Sequence, residues 1–367
     1  MNAAIVVAGG GLAGAATAAA LAQAGRAVIL IEREAAPTDK ICGEFLSTEA
    51  QSYLAALGLD LAPLGGEKIT HLRLVRGARA IATRLPFQGL GLSRKILDEA
   101  LLAHAATAGA TIIRGHAIRA ADGRTLQIDG LGTVQPQTLF LATGKHELRG
   151  LKRDAPDPPP LVGFKMYFSL TPAQRAALAG HVELIMFRGG YAGLQLVEGE
   201  KANLCLLVRR DRLARAGGNW PSLLDRLQTE IPHLATRLAG AAASLAAPLT
   251  ISRVPYGYIH RPDIVDPVFR LGDQAGVIQS FTGDGMSIAL HSAALAAKYF
   301  LSGRPAAAYQ RAFANHVSGQ IRRAGALYKI VEIASAQSAL FAAASTWPGA
   351  LAFAASLTRV PAPVRLS

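Results

Sequence analysis

The sequence predicts an α/β chain: a parallel-sheet lobe that starts at the N-terminus, an antiparallel sheet inserted into it, and helices at the C-terminus. Three observations carry this. Ala4-Ile5-Val6-Val7, an apolar run of strand length, enters the glycine cluster Gly9 to Gly14 and then a helix-forming stretch rich in alanine, Leu12 to Ala24. A second apolar run, Ala27 to Ile31, follows and ends at Glu32. Beyond a break rich in proline and acid, Asp154 to Pro160, the pattern changes to short strands separated by turns.

Gly9-Gly10-Gly11-Leu12-Ala13-Gly14 fits G-x-G-x-x-G. Gly9 allows the tight turn, Gly11 lets a pyrophosphate approach the backbone, and Gly14 lets helix and strand pack closely. The N–H groups of Leu12, Ala13 and Gly14 then open the helix, where unpaired donors and a partial positive charge favour phosphate. Gly25 closes that helix. Glu32 and Arg33 end the second strand, and an acid about 20 positions past the glycines suits a ribose diol. Strand, glycines, helix, strand and acid in this order define a Rossmann-type dinucleotide-binding lobe.

Further along, Thr48-Glu49-Ala50-Gln51 reads as a capping box opening a helix that stops at Gly58. His71 to Val75 and Ala80 to Leu85 read as a hairpin around Arg76-Gly77. Ser93 caps a helix through Ala108, Ile112-Ile113 is a strand, and Leu139-Phe140-Leu141 is a buried strand leading into Ala142-Thr143-Gly144. Gly163 to Leu170, His181 to Phe187, Tyr191 to Val197 and Asn203 to Arg209 read as an antiparallel sheet. Val268 to Leu271 returns as a strand ending in Gly272-Asp273, and a helix runs from near Gly285 to about Leu301.

Composition bounds the function. The chain has 367 residues, 51% hydrophobic and 17% charged, which excludes disorder and gives room for two lobes. Two cysteines, Cys42 and Cys205, make no disulfide framework and suit a reducing cytoplasm. The net charge of +13 comes from scattered arginines, so no nucleic-acid face is expected. No metal site is expected either.

Together, the glycine fingerprint, Ser93-Arg94-x-x-Leu97-Asp98, Ala142-Thr143-Gly144 and Gly272-Asp273-Gln274-Ala275 resemble the FAD-dependent monooxygenases of the para-hydroxybenzoate hydroxylase type. The segment Lys40-Ile41-Cys42-Gly43-Glu44-Phe45 and the late motif Thr282-Gly283-Asp284-Gly285-Met286 resemble the branch with geranylgeranyl reductases and flavin-dependent halogenases. The stretch ATGKHELRG, Ala142 to Gly150, is similar to bacterial members from biosynthetic clusters. The resemblance implies a GR2-type FAD-binding lobe over 1–70, 92–153 and 262–305, a substrate domain over 71–91 and 154–261, and a helical segment over 306–367. It implies that Gly9, Gly11, Leu12, Ala13, Gly14, Glu32, Arg33, Cys42, Gly43, Arg94, Gly144, Gly272, Asp273, Gly283, Asp284, Gly285 and Met286 hold FAD. Cys42, Glu44 and Tyr191 are its candidates for chemistry, and NAD(P)H is the reductant it implies.

The departures are informative. Gln274 replaces the usual alanine, and Ser280 stands where the hydroxylases often have proline. Gly144-Lys145-His146 replaces the hydroxylase Asp-Gly motif. The Trp-x-Trp-x-Ile-Pro motif of halogenases is absent, the tryptophans being Trp220 and Trp347, which disfavours halogenation. From Ile333 to Thr358 there is no charged residue, but Pro348-Gly349 interrupts the run and two short helices are expected. They would cover an apolar tunnel, rest on a membrane surface or pack on the first lobe. The expectation is a cytoplasmic, membrane-peripheral at most, FAD-dependent monooxygenase or oxidase of an aromatic or polyketide-like substrate, free or carrier-bound. The alternatives are a reductase of isoprenoid or polyketide double bonds and a non-catalytic flavin- or lipid-binding protein.

Overall fold

The structure, a computed structural model, describes residues 4–261, 267–347, 349 and 359. The chain begins with β1 (Ile5–Ala8), α1 (Leu12–Gln23) and β2 (Val28–Glu32). It crosses through β3 (Phe45–Leu46) and α2 (Thr48–Ala56) to a long hairpin, β4 (Glu67–Arg76) and β5 (Arg79–Gly91). α3 (Arg94–Thr107) and β6 (Thr111–Arg114) follow, then a small meander of β7 (Ile118–Asp122), β8 (Thr125–Ile128) and β9 (Gly132–Val134), and β10 (Thr138–Leu141). The insertion holds β11 (Leu161–Ser169), α4 (Pro172–Leu178), β12 (His181–Phe187), β13 (Gly190–Val197) and β14 (Lys201–Arg209). It continues with α5 (Arg210–Arg215), α6 (Trp220–Glu230), α7 (Pro232–Leu238), β15 (Ala242–Ala243) and β16 (Leu249–Ser252). β17 (Val268–Arg270), α8 (Gly285–Leu301), α9 (Ala306–Glu332) and α10 (Ala334–Thr346) complete the described chain.

The first sheet is parallel, in the order β17-β10-β1-β2-β6. The order reverses at β1: β2 lies on one side and β10 on the other. Such a crevice outside the carboxyl ends of the strands is where open α/β sheets bind ligands. α1 is buried on every side from Leu12 to Ala22, as expected of a helix without a polar face. Its alanines have no bulk to keep neighbours away, so it packs closely with α3 and α8.

The second sheet runs β15-β11-β14-β13-β12-β4-β5-β3. Successive side chains on a strand point to opposite faces. One face, with Phe164, Met166, Leu194, Leu204 and Leu206, forms a core that includes Leu223 and Leu227 of α6 and Leu234 of α7. The other carries Lys165, Tyr167, Tyr191, Gln195, Asn203 and Cys205. Lys165, Gln195 and Asn203 reach the 40–44 segment of the first lobe.

The structure corrects several expectations. The sheet is not wholly antiparallel, because β4 pairs parallel with β12. That hairpin lies in sequence between two segments of the first lobe and adds sideways to the inserted strands. The cap of α2 is Ser47, whose Oγ accepts the Ala50 N–H at 3.5 Å. Thr48 is one residue inside, so no capping box forms. Gln51 instead donates to the carbonyls of Leu46 and Gln88. The β7–β9 meander was not expected. Of the two C-terminal helices, α10 is present, and 350–358 lie outside the described residues. No helix among the described residues is long and apolar enough to cross a membrane.

Candidate active site

The site begins at the carboxyl edge of the parallel sheet. Gly9 leaves β1 at φ +107°, and a Cβ there would stand 2.5 Å from the Ala142 carbonyl oxygen at the end of β10. A Cβ on Gly14 would stand 1.9 Å from the Gly9 oxygen. Both positions therefore serve packing of the turn itself. Gly11 differs: its added Cβ would meet only the Arg94 guanidinium, at 3.2 Å. Gly43, Gly144 and Gly285 have nothing within 4 Å of a built Cβ. They border space that is open.

A chain of contacts connects these glycines around the cleft. Arg94, above Gly11, is held by Asp98 one turn along α3 at 2.7 and 2.8 Å. Burial works against the Arg94 charge, but the Asp98 carboxylate outweighs it and keeps the guanidinium firmly protonated. The Arg94 N–H donates to Glu44 Oε1 at 2.8 Å, which ties α3 to the Cys42-Gly43 turn. Gly283 packs against Phe45, the neighbour of Glu44. On the opposite wall, Gly272 packs on Ala13 of α1, and Asp273 pairs with Lys145 at 3.3 Å. Asp273 raises the Lys145 pKa, and Lys145 also feels Cys42 and Tyr256. The Lys145 side chain is part-buried, with 29% of it accessible.

The other predicted residues fall as follows. Glu32 is buried; Oε2 accepts the Gly10 N–H at 2.5 Å and Oε1 the Glu34 N–H at 3.0 Å. Its carboxylate is thus fixed at the mouth of the glycine turn. Arg33 points outward and pairs with Glu34 at 2.8 Å. Leu12, Ala13 and Met286 present backbone at the two helix starts and bury their side chains. Asp284, at the start of α8, is fully buried and accepts from Arg359 at 3.1 Å. Cys42 Sγ accepts the Glu44 N–H at 3.3 Å, a bond that shapes the turn. Glu44 is fully buried at φ +60° and accepts from Lys165 at 2.5 Å and Tyr167 at 2.8 Å.

Tyr191 is buried on β13 beside Phe281 and Tyr328, edge-on to both rings. Its hydroxyl makes no hydrogen bond among the described residues. Ser280 is near enough to act on it electrostatically, but its Oγ is 2.7 Å from the Tyr256 hydroxyl. Burial pushes the Tyr191 pKa well up, so it is a donor and not a base.

Sequence reasoning missed Lys145, Lys165, Tyr167, Gln195 and Asn203. One signal was available: Lys165 is the lone charge in the apolar strand Gly-Phe-Lys-Met-Tyr-Phe. Gln274, noted as a departure, donates at 2.8 Å to the carbonyls of Gly144 and His146 and so braces the loop that carries Lys145. An alanine there could not.

These features test the fit of a dinucleotide. Open glycines, two helix starts with unpaired N–H groups and a fixed arginine match a diphosphate, and Glu32 matches a ribose. The fold and the cradle fit a dinucleotide, and residues 2–147 match the FAD binding domain family. No curated protein sequence matches the chain. Among solved structures it is similar to PqsL from Pseudomonas aeruginosa in complex with 2-aminobenzoylacetate, at 18% identity and TM-score 0.74, covering 93% of this chain and 100% of that one. PqsL is a probable FAD-dependent monooxygenase. The flavin-dependent brominase Bmp2 has TM-score 0.77 at 16% identity, over 98% of this chain and 93% of that one. The myxobacterial chondrochloren halogenase CndH has TM-score 0.75 at 18% identity, over 89% and 81%. At these identities the likeness is one of fold.

Proposed function

We propose that this protein is an FAD-dependent monooxygenase of an aromatic or polyketide-like hydrophobic substrate, reduced by NAD(P)H. The observation that carries the reading is the glycine cradle, tied by the Cys42-Gly43-Glu44 turn to the inserted sheet. On that sheet Tyr191 clusters with Tyr256, with Phe281 of the late glycine motif and with Tyr328 of α9. Bound flavin would supply electron transfer to oxygen and oxygen transfer to substrate. The chain's own residues do the rest. Gly11, Arg94 and the start of α1 would bind the diphosphate, and Glu32 the ribose. The N-terminus of α8 at Gly285 would place its partial positive charge against the pyrimidine edge of the ring. The aromatic cluster would exclude water and orient a flat substrate, with the Tyr191 hydroxyl free to donate to it. The fold shared with PqsL and the halogenases supports oxygen chemistry, as does Cys42, which is engaged in its own turn.

The test is turnover under ¹⁸O₂ with NADPH and aromatic β-keto acids as probes. One labelled oxygen per product supports the proposal. Oxygen-independent saturation of an alkene would replace it with the reductase reading. Purified protein that binds a hydrophobic ligand but shows no redox turnover would make it a binding protein. As partners we propose the substrate, free or on a carrier, and an anionic membrane surface touched by α10. That helix exposes Leu340, and Ile333 and Trp347 at its two ends are exposed as well. The three are spaced by seven and so share one face.

A further inference from the structure

Glu44 and Lys165 are both fully buried, and they come from different lobes. Glu44 sits in the Cys42-Gly43-Glu44 turn, and Lys165 sits on β11 of the inserted sheet. Their 2.5 Å contact is one of several that cross the same boundary. Lys165 Nζ also donates to the Lys40 carbonyl at 2.9 Å. Tyr167 Oη donates to Glu44 at 2.8 Å. Asn203 Nδ2 donates to the carbonyls of Cys42 and Gly43 at 3.1 and 3.0 Å. Gln195 Nε2 donates to the Glu44 carbonyl at 2.8 Å. Sheet side chains thus take the carbonyls of 42, 43 and 44 in turn. The other side of Gly43 faces open space, and its N–H has no acceptor among the described residues.

A buried ion pair is poor evidence of stability, because desolvating both charges costs about what their attraction returns. The left-handed backbone of Glu44, at φ +60°, is strained for a residue with a Cβ. A loop that only needed packing would use apolar residues there. The bonds instead fix one peptide, Cys42-Gly43, against the cleft.

We infer that Lys165 is a positioning residue through which the inserted sheet sets the flavin-facing turn, Glu44 being the link. This rests on the flavin reading above. Glu44 also accepts the Arg94 N–H, so the same carboxylate aligns the ring end and the diphosphate end of the cofactor site.

The experiment titrates flavin-stripped protein with FAD, following flavin fluorescence and the visible absorption band, with the melting temperature of each apoprotein alongside. Lys165→Met is expected to weaken FAD binding about tenfold or more and to shift the absorption band, since it removes a charge-assisted bond and leaves the buried Glu44 without its charged partner. Glu44→Gln with Lys165→Met removes both charges, and is expected to bind FAD more tightly than Lys165→Met alone. Tyr167→Phe keeps the ring and deletes one donor, and a loss of a few-fold is expected; should Lys165→Met fail to fold, this variant decides. Unchanged FAD affinity and spectrum in the folded Lys165→Met or Tyr167→Phe protein would overturn the inference while leaving the flavin reading intact. A double variant weaker than the single would also overturn it. Wild-type protein that takes up no FAD would remove the flavin reading, and the inference with it.

Discussion

Gly11 and Gly14 belong to one motif yet do different work, and the difference is measurable. Gly14→Ala would drive a Cβ into the Gly9 carbonyl, so loss of the folded state is expected. The Cβ of Gly11→Leu meets only the Arg94 guanidinium and no backbone, so the protein is expected to fold but to purify colourless. Circular dichroism melts and flavin absorbance on both variants check this, and full flavin occupancy in Gly11→Leu would refute the diphosphate contact. Glu32→Ala should weaken FAD binding by about 1.5–3 kcal/mol for each charged hydrogen bond lost. The flavin spectrum should hardly move, because the ribose lies far from the ring. A shifted redox potential at unaltered affinity would put Glu32 at the wrong end. Cys42→Ala should keep nearly full substrate oxidation, since the thiol is an acceptor within its own turn. Loss of turnover with normal reduction by NAD(P)H would instead make the thiol a proton donor.

At the scale of elements, α2, α8 and α9 meet at a buried histidine. His291 Nδ1 lies 2.6 Å from the Tyr53 hydroxyl, and Nε2 lies 3.1 Å from His316. Burial, with a further push from His316, lowers its pKa to about 4. The unfolded chain, with an ordinary histidine near 6.5, then binds the extra proton between these two values. Stability contributed by the neutral form is present above pH 6.5 and lost as pH falls toward 4, by about 3 kcal/mol in all. Urea melts across that window should show the slope, and His291→Phe should flatten it. An unchanged slope would mean that the ring is protonated in place.

For the whole molecule, the proposed membrane contact would draw on both the net charge of +13 and the exposed stripe of α10. Binding to vesicles containing anionic lipid is expected to be strong at low salt and to weaken as salt screens the charge. Leu340→Glu with Trp347→Glu should abolish co-sedimentation without altering FAD content. Retained binding in that variant would show that α10 is not the contact.

The division of labour between the two lobes is also where sequence and tertiary structure part. Strand, glycine turn, helix, strand and acid were legible from residues 4 to 32, because backbone geometry and phosphate chemistry act locally there. Helix α3 was legible for the same reason, with its cap at Ser93, as was α8 with its start at Gly285. Four strands of the insertion followed from their alternation. By contrast, the parallel pairing of β4 with β12 depends on a partner 110 positions away, such as Glu183 beside Arg73, and no local pattern encodes that. The roles of Lys145, Lys165, Asn203 and Gln274 were hidden for the same reason. Each acts through a hydrogen bond or ion pair to a segment at least 120 residues distant in sequence. The sequence by itself determined that a dinucleotide cradle exists, since its turn and helix are built from neighbours. Only the tertiary structure decided what faces it, because the opposite wall comes from strands that fold against it from elsewhere in the chain.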